Sequence, residues 1–293
     1  MCVAFTALGW GLNWPATKLL LAAFPPLSAR GVSGCVACLI LSVAAMMRRQ
    51  SLTVPRRDWG WLVLGSLLNV TVWMGGTTAS LRWLPAGQAA TLAYTMPIWV
   101  CLLAWLILRE TPRPRHILAI GMGMLGVIVL LGGGRLSPYR HDGPGLALAL
   151  LSATSFAFGT VQAKARPLGL QPLALTAWQV GLGSIPLGIA GWLWEEPSFR
   201  GLPPFGWAVL GYTALVSMGL CYVTWFMARS RLSALGAATG TLLTPVIGVT
   251  ASALLLGDSL GWSQLVSIGL VGGGILLSAQ STGASRPAGR ERR

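Results

Sequence analysis

Ten long apolar runs, with nearly all charge confined to the short stretches between them, limit this chain more than any other feature. They lie at roughly 1–22, 26–47, 59–81, 84–108, 115–132, 144–165, 172–194, 205–228, 232–256 and 261–280. A helix of about 20 apolar residues crosses a ~30 Å hydrocarbon core. Of the 293 residues, 54% are hydrophobic and 10% charged, and mean hydropathy is +0.67. A soluble domain carries roughly 25% charged residues. The ~10-residue alternating segments of a membrane barrel do not occur. The expected fold is an all-α integral membrane protein with ten transmembrane helices in a lipid bilayer. The first run lacks a basic leader and an evident small-x-small cleavage site, so it reads as a retained helix rather than a signal peptide. It starts almost at Met1, which leaves room for a few residues upstream.

The chain also writes one stretch twice. Leu84–Leu131 shifted by 148 positions falls on Leu232–Ala279 without a gap. Leu84, Ala86, Ala89, Ala90 and Thr91 land on Leu232, Ala234, Ala237, Ala238 and Thr239. Pro97 lands on Pro245, Glu110 on Asp258, Gly121 on Gly269 and Gly126 on Gly274. Two related halves follow. One five-helix repeat covers 1–132 and the other 144–280, joined by a Gly-rich linker at 133–143. The basic tail at 281–293 reads as disordered or lying on anionic lipid. Five spans per half is an odd number, so the second half is inverted in the membrane. Inverted repeats of this kind build secondary transporters, with substrate held in a central cavity near the midplane.

Charge sets the expected orientation. With the N-terminus inside, the inner loops and tail hold fifteen of the 21 Lys and Arg residues, and the outer loops six. Both termini are therefore expected in the cytoplasm. The net charge of +14 is explained by this loop bias, and nucleic-acid binding is not expected. Trp residues flanking the runs read as interfacial anchors. The CxxC at Cys35 and Cys38 has no His or acid nearby and reads as packing.

Polar groups inside apolar spans mark the candidate site, because an unpaired amide in hydrocarbon costs several kcal/mol. Trp10, Asn13, Trp14 and Thr17 share one face of the first span, and Asn69, Trp73 and Thr77 one face of the third. Tyr94 and Thr95 precede Pro97 on the fourth span. Pro97 removes a donor and crowds the carbonyl of Ala93, and Pro245 does the same to Thr241. Helices interrupted at matching places in two halves point to a binding site. The second half offers Phe156, Phe158 and Thr160 on the sixth span, and Ser217, Cys221, Tyr222 and Trp225 on the eighth. The expected substrate-binding set is Trp10, Asn13, Asn69, Trp73, Tyr94, Pro97, Phe156, Tyr222, Thr241 and Pro245. The first five of these, Trp10 to Tyr94, are expected to converge near the midplane. Lys18 and Arg30 flank the first outer turn, where snorkelling is the expected role and attraction of a carboxylate the other reading. Gly269 and Gly273 form a GxxxG, expected to mark close helix packing.

None of the seven acids lies mid-span, and both histidines lie in loops. Proton-relay and hydrolytic chemistry want such groups within the membrane. No P-loop is present, and no cofactor or metal is expected.

WGLNWPATK at Trp10–Lys18, LTAWQ at Leu175–Gln179, and ATLAYTMPIW…LRE at Ala90–Glu110 with ATGTLLTPVI…LGD at Ala238–Asp258 resemble the EamA-type permeases of the drug/metabolite transporter superfamily. The resemblance spans nearly the whole chain. It implies five-plus-five inverted architecture and a cavity lined from the first, third, fourth, sixth, eighth and ninth spans. It also implies a non-enzymatic exporter of small metabolites, such as amino acids or their relatives, in a bacterial inner membrane. A monomer is compatible with this arrangement. The rival readings are an exchanger of phosphorylated or nucleotide-sugar metabolites, and a membrane enzyme acting on lipid-linked substrates. The first would want more internal cations than Lys18 and Arg30, the second a buried carboxylate or histidine.

Overall fold

The computed structural model describes residues 2–21, 23–80, 82–83, 92–130, 143–232, 236–237, 240–256 and 262–279. Most of the linker, the basic tail, Thr91, Asp142 and Asp258 lie outside the described residues. Ten helices occur within them. They are α1 (Cys2–Leu21), α2 (Pro26–Met47), α3 (Arg56–Ser80), α4 (Met96–Leu108), α5 (Pro114–Leu130), α6 (Gly143–Ala165), α7 (Pro172–Glu195), α8 (Pro204–Arg231), α9 (Leu243–Leu256) and α10 (Trp262–Ala279). In lipid every backbone polar group needs an internal partner, which a helix supplies within its own segment. Helices α2, α3, α6, α7 and α8 are each long and apolar enough to cross a membrane. Large apolar side chains cover the outside, among them Leu39, Val43, Leu106, Ile117, Ile189 and Leu254.

Two features interrupt these helices, and each occurs once per half. Residues Leu67–Val72 of α3 and Thr213–Leu220 of α8 are π-helical. Shifted by 148, the first range becomes 215–220, inside the second. The other interruption precedes α4 and α9. The sequence predicts a kink in the middle of a long fourth helix at Pro97. Instead Tyr94 and Thr95 form a turn, α4 starts at Met96, and Pro97 sits in its first turn. A helix start has no intrahelical acceptor for that N–H, so proline costs nothing there. Thr95 caps the turn, donating to the Leu92 carbonyl from its N at 3.1 Å and its Oγ1 at 2.6 Å. The same break occurs at Thr241–Leu242, before Pro245. There the Thr241 carbonyl accepts from Thr244 N at 2.9 Å, so Pro245 does not leave it bare. The chain has tightened to an i→i+3 bond, as helix ends do.

Helix pairing obeys one two-fold. The shift of 148 makes α1 to α5 equivalent to α6 to α10. Helix α2 packs on α7 and α5 on α10, each against its own equivalent. Other contacts come in exchanged pairs: α1 on α9 with α6 on α4, and α3 on α6 with α8 on α1. The detail reaches single atoms. A Cβ added to Gly126 would meet Val271 at 2.9 Å, Leu270 at 3.1 Å and the Ser267 carbonyl at 3.2 Å. One added to Gly274 would meet the Ala119 carbonyl at 2.7 Å and Gly123 and Met122 at 3.5 Å. Residues 119, 122 and 123 are 267, 270 and 271 less 148. The register also shows that α5 and α10 run antiparallel. An axis normal to the membrane would keep equivalent helices parallel, so this axis lies in the membrane plane. The repeats are inverted.

The GxxxG on α10 is only half a packing motif. Gly273 approaches Met122, but Gly269 faces open space, as does its equivalent Gly121. The close approach belongs to Gly274 and Gly126. Between α2 and α7 a Cβ on Gly31 would sit 2.3 Å from the Gly188 Cα. Cys38 Sγ packs against Gly181 in the same interface.

Candidate functional site

The largest buried cluster among the described residues draws on most of the helices, and within it an aromatic group lies where α1, α3, α6 and α8 meet. Trp10 on α1 stands edge-on to Tyr222 at 5.4 Å between centroids and lies 5.9 Å from Trp225, both on α8. Phe156 on α6 is 5.7 Å from Trp225 and 4.8 Å from Trp73 on α3. Offset and edge-on pairs at such separations add to the apolar burial itself. A cavity was expected at this centre, and these rings meet there.

The two π segments hold this cluster in place. A π turn widens the helix and draws backbone carbonyls out of the regular ladder, often at functional sites. In α3 the segment's carbonyls take donors from other helices. Tyr222 Oη donates to the Asn69 carbonyl at 3.0 Å, Ser155 Oγ to Leu68 at 3.0 Å, and Ser152 Oγ to Val72 at 3.2 Å. In α8, Trp10 Nε1 donates to the Ser217 carbonyl at 3.0 Å. Ser217 is the repeat equivalent of Asn69. In each half, therefore, one carbonyl of the π segment accepts from an aromatic donor. The two donors, Trp10 and Tyr222, are in ring contact. The machinery is symmetric although its side chains are not.

Asn69 itself is fully buried. Its Nδ2 donates to the Gly65 carbonyl at 2.9 Å, and its Oδ1 has no partner among the described residues. Gly159 makes room for it, since a Cβ there would lie 2.5 Å from Nδ2. Asn13 is buried one turn along α1 from Trp10. With its amide oxygen turned to the guanidinium, it accepts from Arg30 Nη1 at 3.1 Å, Arg30 Nη2 at 3.3 Å and Thr17 Oγ1 at 3.2 Å. Arg30 thus turns inward to a buried amide rather than snorkelling outward, because that amide is the acceptor within its reach. The side chain of Lys18 lies outside the described residues.

The ten sequence-selected positions separate into groups. Trp10, Trp73, Phe156 and Tyr222 share the central cluster, and Asn69 joins through its carbonyl. Asn13 sits beside Arg30. Tyr94 does not converge with Trp10, Asn13, Asn69 and Trp73. It packs in a second cluster with Ile120, Met124, Leu242, Val246 and Val271. The turn at Tyr94–Thr95 changes its direction, and a continuous-helix reading could not supply that. Pro97, Thr241 and Pro245 are buried around the two helix breaks.

Phe226 and Arg229 were not selected. Phe226 packs on Tyr222 at 5.8 Å. The Arg229 guanidinium lies 4.7 Å from the Phe226 ring centroid, and the residue is only 5% exposed. An arginine near the end of an apolar run reads as a loop charge, and only packing shows it to be internal. The spacing of Tyr222, Trp225, Phe226 and Arg229 was the available signal, since i, i+3, i+4 and i+7 share one helical face.

Comparison with known proteins agrees with this architecture. Residues 1–132 and 143–280 each match the model of the EamA-like transporter family. The uncharacterized transporter YvbV of Bacillus subtilis is 30% identical over 292 residues, covering 98% of this chain and 93% of that protein. Protein PecM of Dickeya dadantii is 26% identical over 88% of this chain and 84% of its own length. A solved crystal structure superposes with a TM-score of 0.80 at 19% identity, covering 95% of this chain and 98% of the other. With two family matches placed on two inverted five-helix repeats, the chain belongs to the EamA-like transporter family.

Proposed function

We propose that this membrane transporter is a secondary exporter of a small amphipathic metabolite, such as an amino acid or a relative. It works by alternating access in a bacterial inner membrane, with both termini in the cytoplasm. One observation carries this reading: two symmetry-related π segments converge on one aromatic cluster and engage it through the Asn69 and Ser217 carbonyls. A site divided evenly between inverted halves can face either side as the halves rock. Trp10, Asn13, Asn69, Trp73, Phe156 and Tyr222 supply apolar walls with a few placed polar groups, the composition of a small-molecule site. Tyr94, Pro97, Thr241 and Pro245 act at its margin, where the broken helices set the wall. No chemical step is assigned to these residues.

The test is counterflow in proteoliposomes loaded with candidate metabolites. Accumulation of labelled solute, recovered chemically unchanged, is the expected result. A solute recovered modified would replace transport with catalysis. Topology has its own test, since Ser285 lies in the tail after the last span. In a background without native cysteines, Ser285→Cys should resist impermeant thiol reagents in intact cells. Ready labelling would place the termini outside.

A further inference from the structure

The guanidinium of Arg30, a partly exposed residue, and that of the buried Arg229 have no carboxylate within 4.0 Å among the described residues. The chain holds seven acids, and four of them, Asp58, Glu110, Glu195 and Glu196, fall in described residues. Among the described residues the ion pair within 4.0 Å is Arg57 with Asp58, which are near the start of α3. Glu195 is occupied elsewhere. It accepts from Leu27 N at 3.1 Å, Ser28 N at 2.8 Å and Ser28 Oγ at 2.9 Å at the start of α2. Arg30 meets only neutral acceptor atoms at Asn13. Arg229 rests on the Phe226 ring, and its Nη1 is buried without a partner among the described residues. One turn before it on α8, the fully buried Trp225 Nε1 is a second donor without one.

A buried charge with no counter-charge is costly and is kept where something answers it. The two arginines stand at different depths. Helices α1 and α8 run antiparallel, pairing Asn13 with Thr213, Trp10 with Ser217, and Thr6 with Thr224. Arg30 is held at the Asn13 level, and Arg229 lies beyond Thr224. Sixteen residues separate Thr213 from Arg229, roughly 24 Å along the helix. The Trp10–Tyr222 pair lies between them.

We propose that Arg30 and Arg229 recognise a carboxylate on the transported solute, one on each side of the aromatic core, with Trp225 Nε1 assisting Arg229. The solute is then an organic acid, or a zwitterion, with an apolar body sized to the aromatic cluster. This rests on the transport reading above and adds the charge of the cargo. A guanidinium is the side chain suited to two-point capture of a carboxylate. Arg229 would receive it on one side and Arg30 on the other, so that the charge is not left in hydrocarbon during transfer.

The experiment uses the full chain in nanodiscs and measures binding of matched solutes with one body and different heads. The probes are 3-phenylpropionate, its amide, 3-phenylpropylamine and phenylpropyl phosphate, with the 4-methylpentanoate series as an aliphatic body. The carboxylate should bind at least tenfold more tightly than the amide, and the amine more weakly than either. Arg30→Gln and Arg229→Gln should each weaken that preference and the double variant should abolish it, with the helical circular-dichroism spectrum of each variant reporting that it is folded. Arg229→Lys should restore part of it. Equal binding of amide and carboxylate by the unaltered chain overturns the proposal, as does preference for the phosphate or failure of every anion to bind. Preference retained undiminished in the double Gln variant overturns it too. The wild-type ranking stands as a test even if a variant fails to fold. Counterflow separates the two layers: carriage of amide and carboxylate alike leaves transport intact and removes this inference. Carboxylate-selective binding without carriage keeps the anion site and removes transport.

Discussion

At the scale of residues, the donors to the two π-segment carbonyls are the most exposed to test. Tyr222→Phe keeps the ring contacts and deletes only the bond to the Asn69 carbonyl. Trp10→Phe deletes the bond to the Ser217 carbonyl together with part of the indole's contact with its neighbouring rings. A net hydrogen bond inside a membrane protein is worth about 0.6–1.5 kcal/mol. Tyr222→Phe should lose about 1 kcal/mol in denaturation from detergent, and Trp10→Phe more because buried ring area goes with the bond, each with a fall in transport rate. Unchanged stability in both would mean that these carbonyls do not depend on the aromatic donors. Gly159 and Asn69 make a second test. Gly159→Ala drives a Cβ to within 2.5 Å of the Asn69 amide and should cost about 1–3 kcal/mol as overpacking. In an Asn69→Ala background that clash is gone. A double-mutant cycle should therefore return a coupling of about 1 kcal/mol or more, and strict additivity would refute the contact. Asn69, Trp73 and Trp10 could be chosen from sequence because amides and indoles inside apolar runs are costly unless partnered. Arg229 and Phe226 could not, since depth in the bundle is a property of packing rather than of run length.

Elements were readable to different degrees for a physical reason. Helix ends follow from where apolar runs meet charge or Pro-Gly turns, and the ten runs correspond to ten helices. The π segments were not readable, because a widened turn is stabilised by partners on other helices: Ser152, Ser155 and Tyr222 for α3, and Trp10 for α8. The break before Pro97 was half readable. Proline announces an interruption, but whether it kinks a helix or begins one depends on residues such as Thr95 capping the turn. Glycine spacing misled in a similar way, since GxxxG names a period and not the face that meets a neighbour. The interface between α5 and α10 gives the test. Gly274→Ala meets the Ala119 carbonyl at 2.7 Å, whereas Gly269→Ala meets nothing within 4 Å. The first should lower thermal stability clearly, by about 1–3 kcal/mol. The second should be neutral or slightly stabilising, because alanine is the better helix former. Equal effects of the two would displace the assigned α5–α10 register.

At the scale of the whole molecule, the two-fold relates the folds of the halves but not their conformations. A cleft of about 230 Å³ opens at the ends of α2, α3 and α7, lined by Leu27, Thr78, Ala79, Arg82, Trp194 and Glu195. Shifting by 148 carries Thr78 and Ala79 to Phe226 and Met227, and Trp194 back to Met46. At that equivalent place Phe226 is 4% exposed, packs on Tyr222 and lies against Arg229, while Met46 is 57% exposed. The two ends of the pseudo-symmetric pair thus differ in packing. If inverted halves exchange conformations to give alternating access, the opposite state is this structure with the roles of the halves swapped. The Ala79–Trp194 separation should then shorten while its equivalent, Met227–Met46, lengthens. Spin labels on each pair in nanodiscs, read by pulsed dipolar spectroscopy with and without a transported solute, give both distances. Opposite changes are expected, because closing one end without opening the other would trap the solute. If both distances shorten together, or neither moves under conditions that support flux, rocking about this two-fold is not how the protein works.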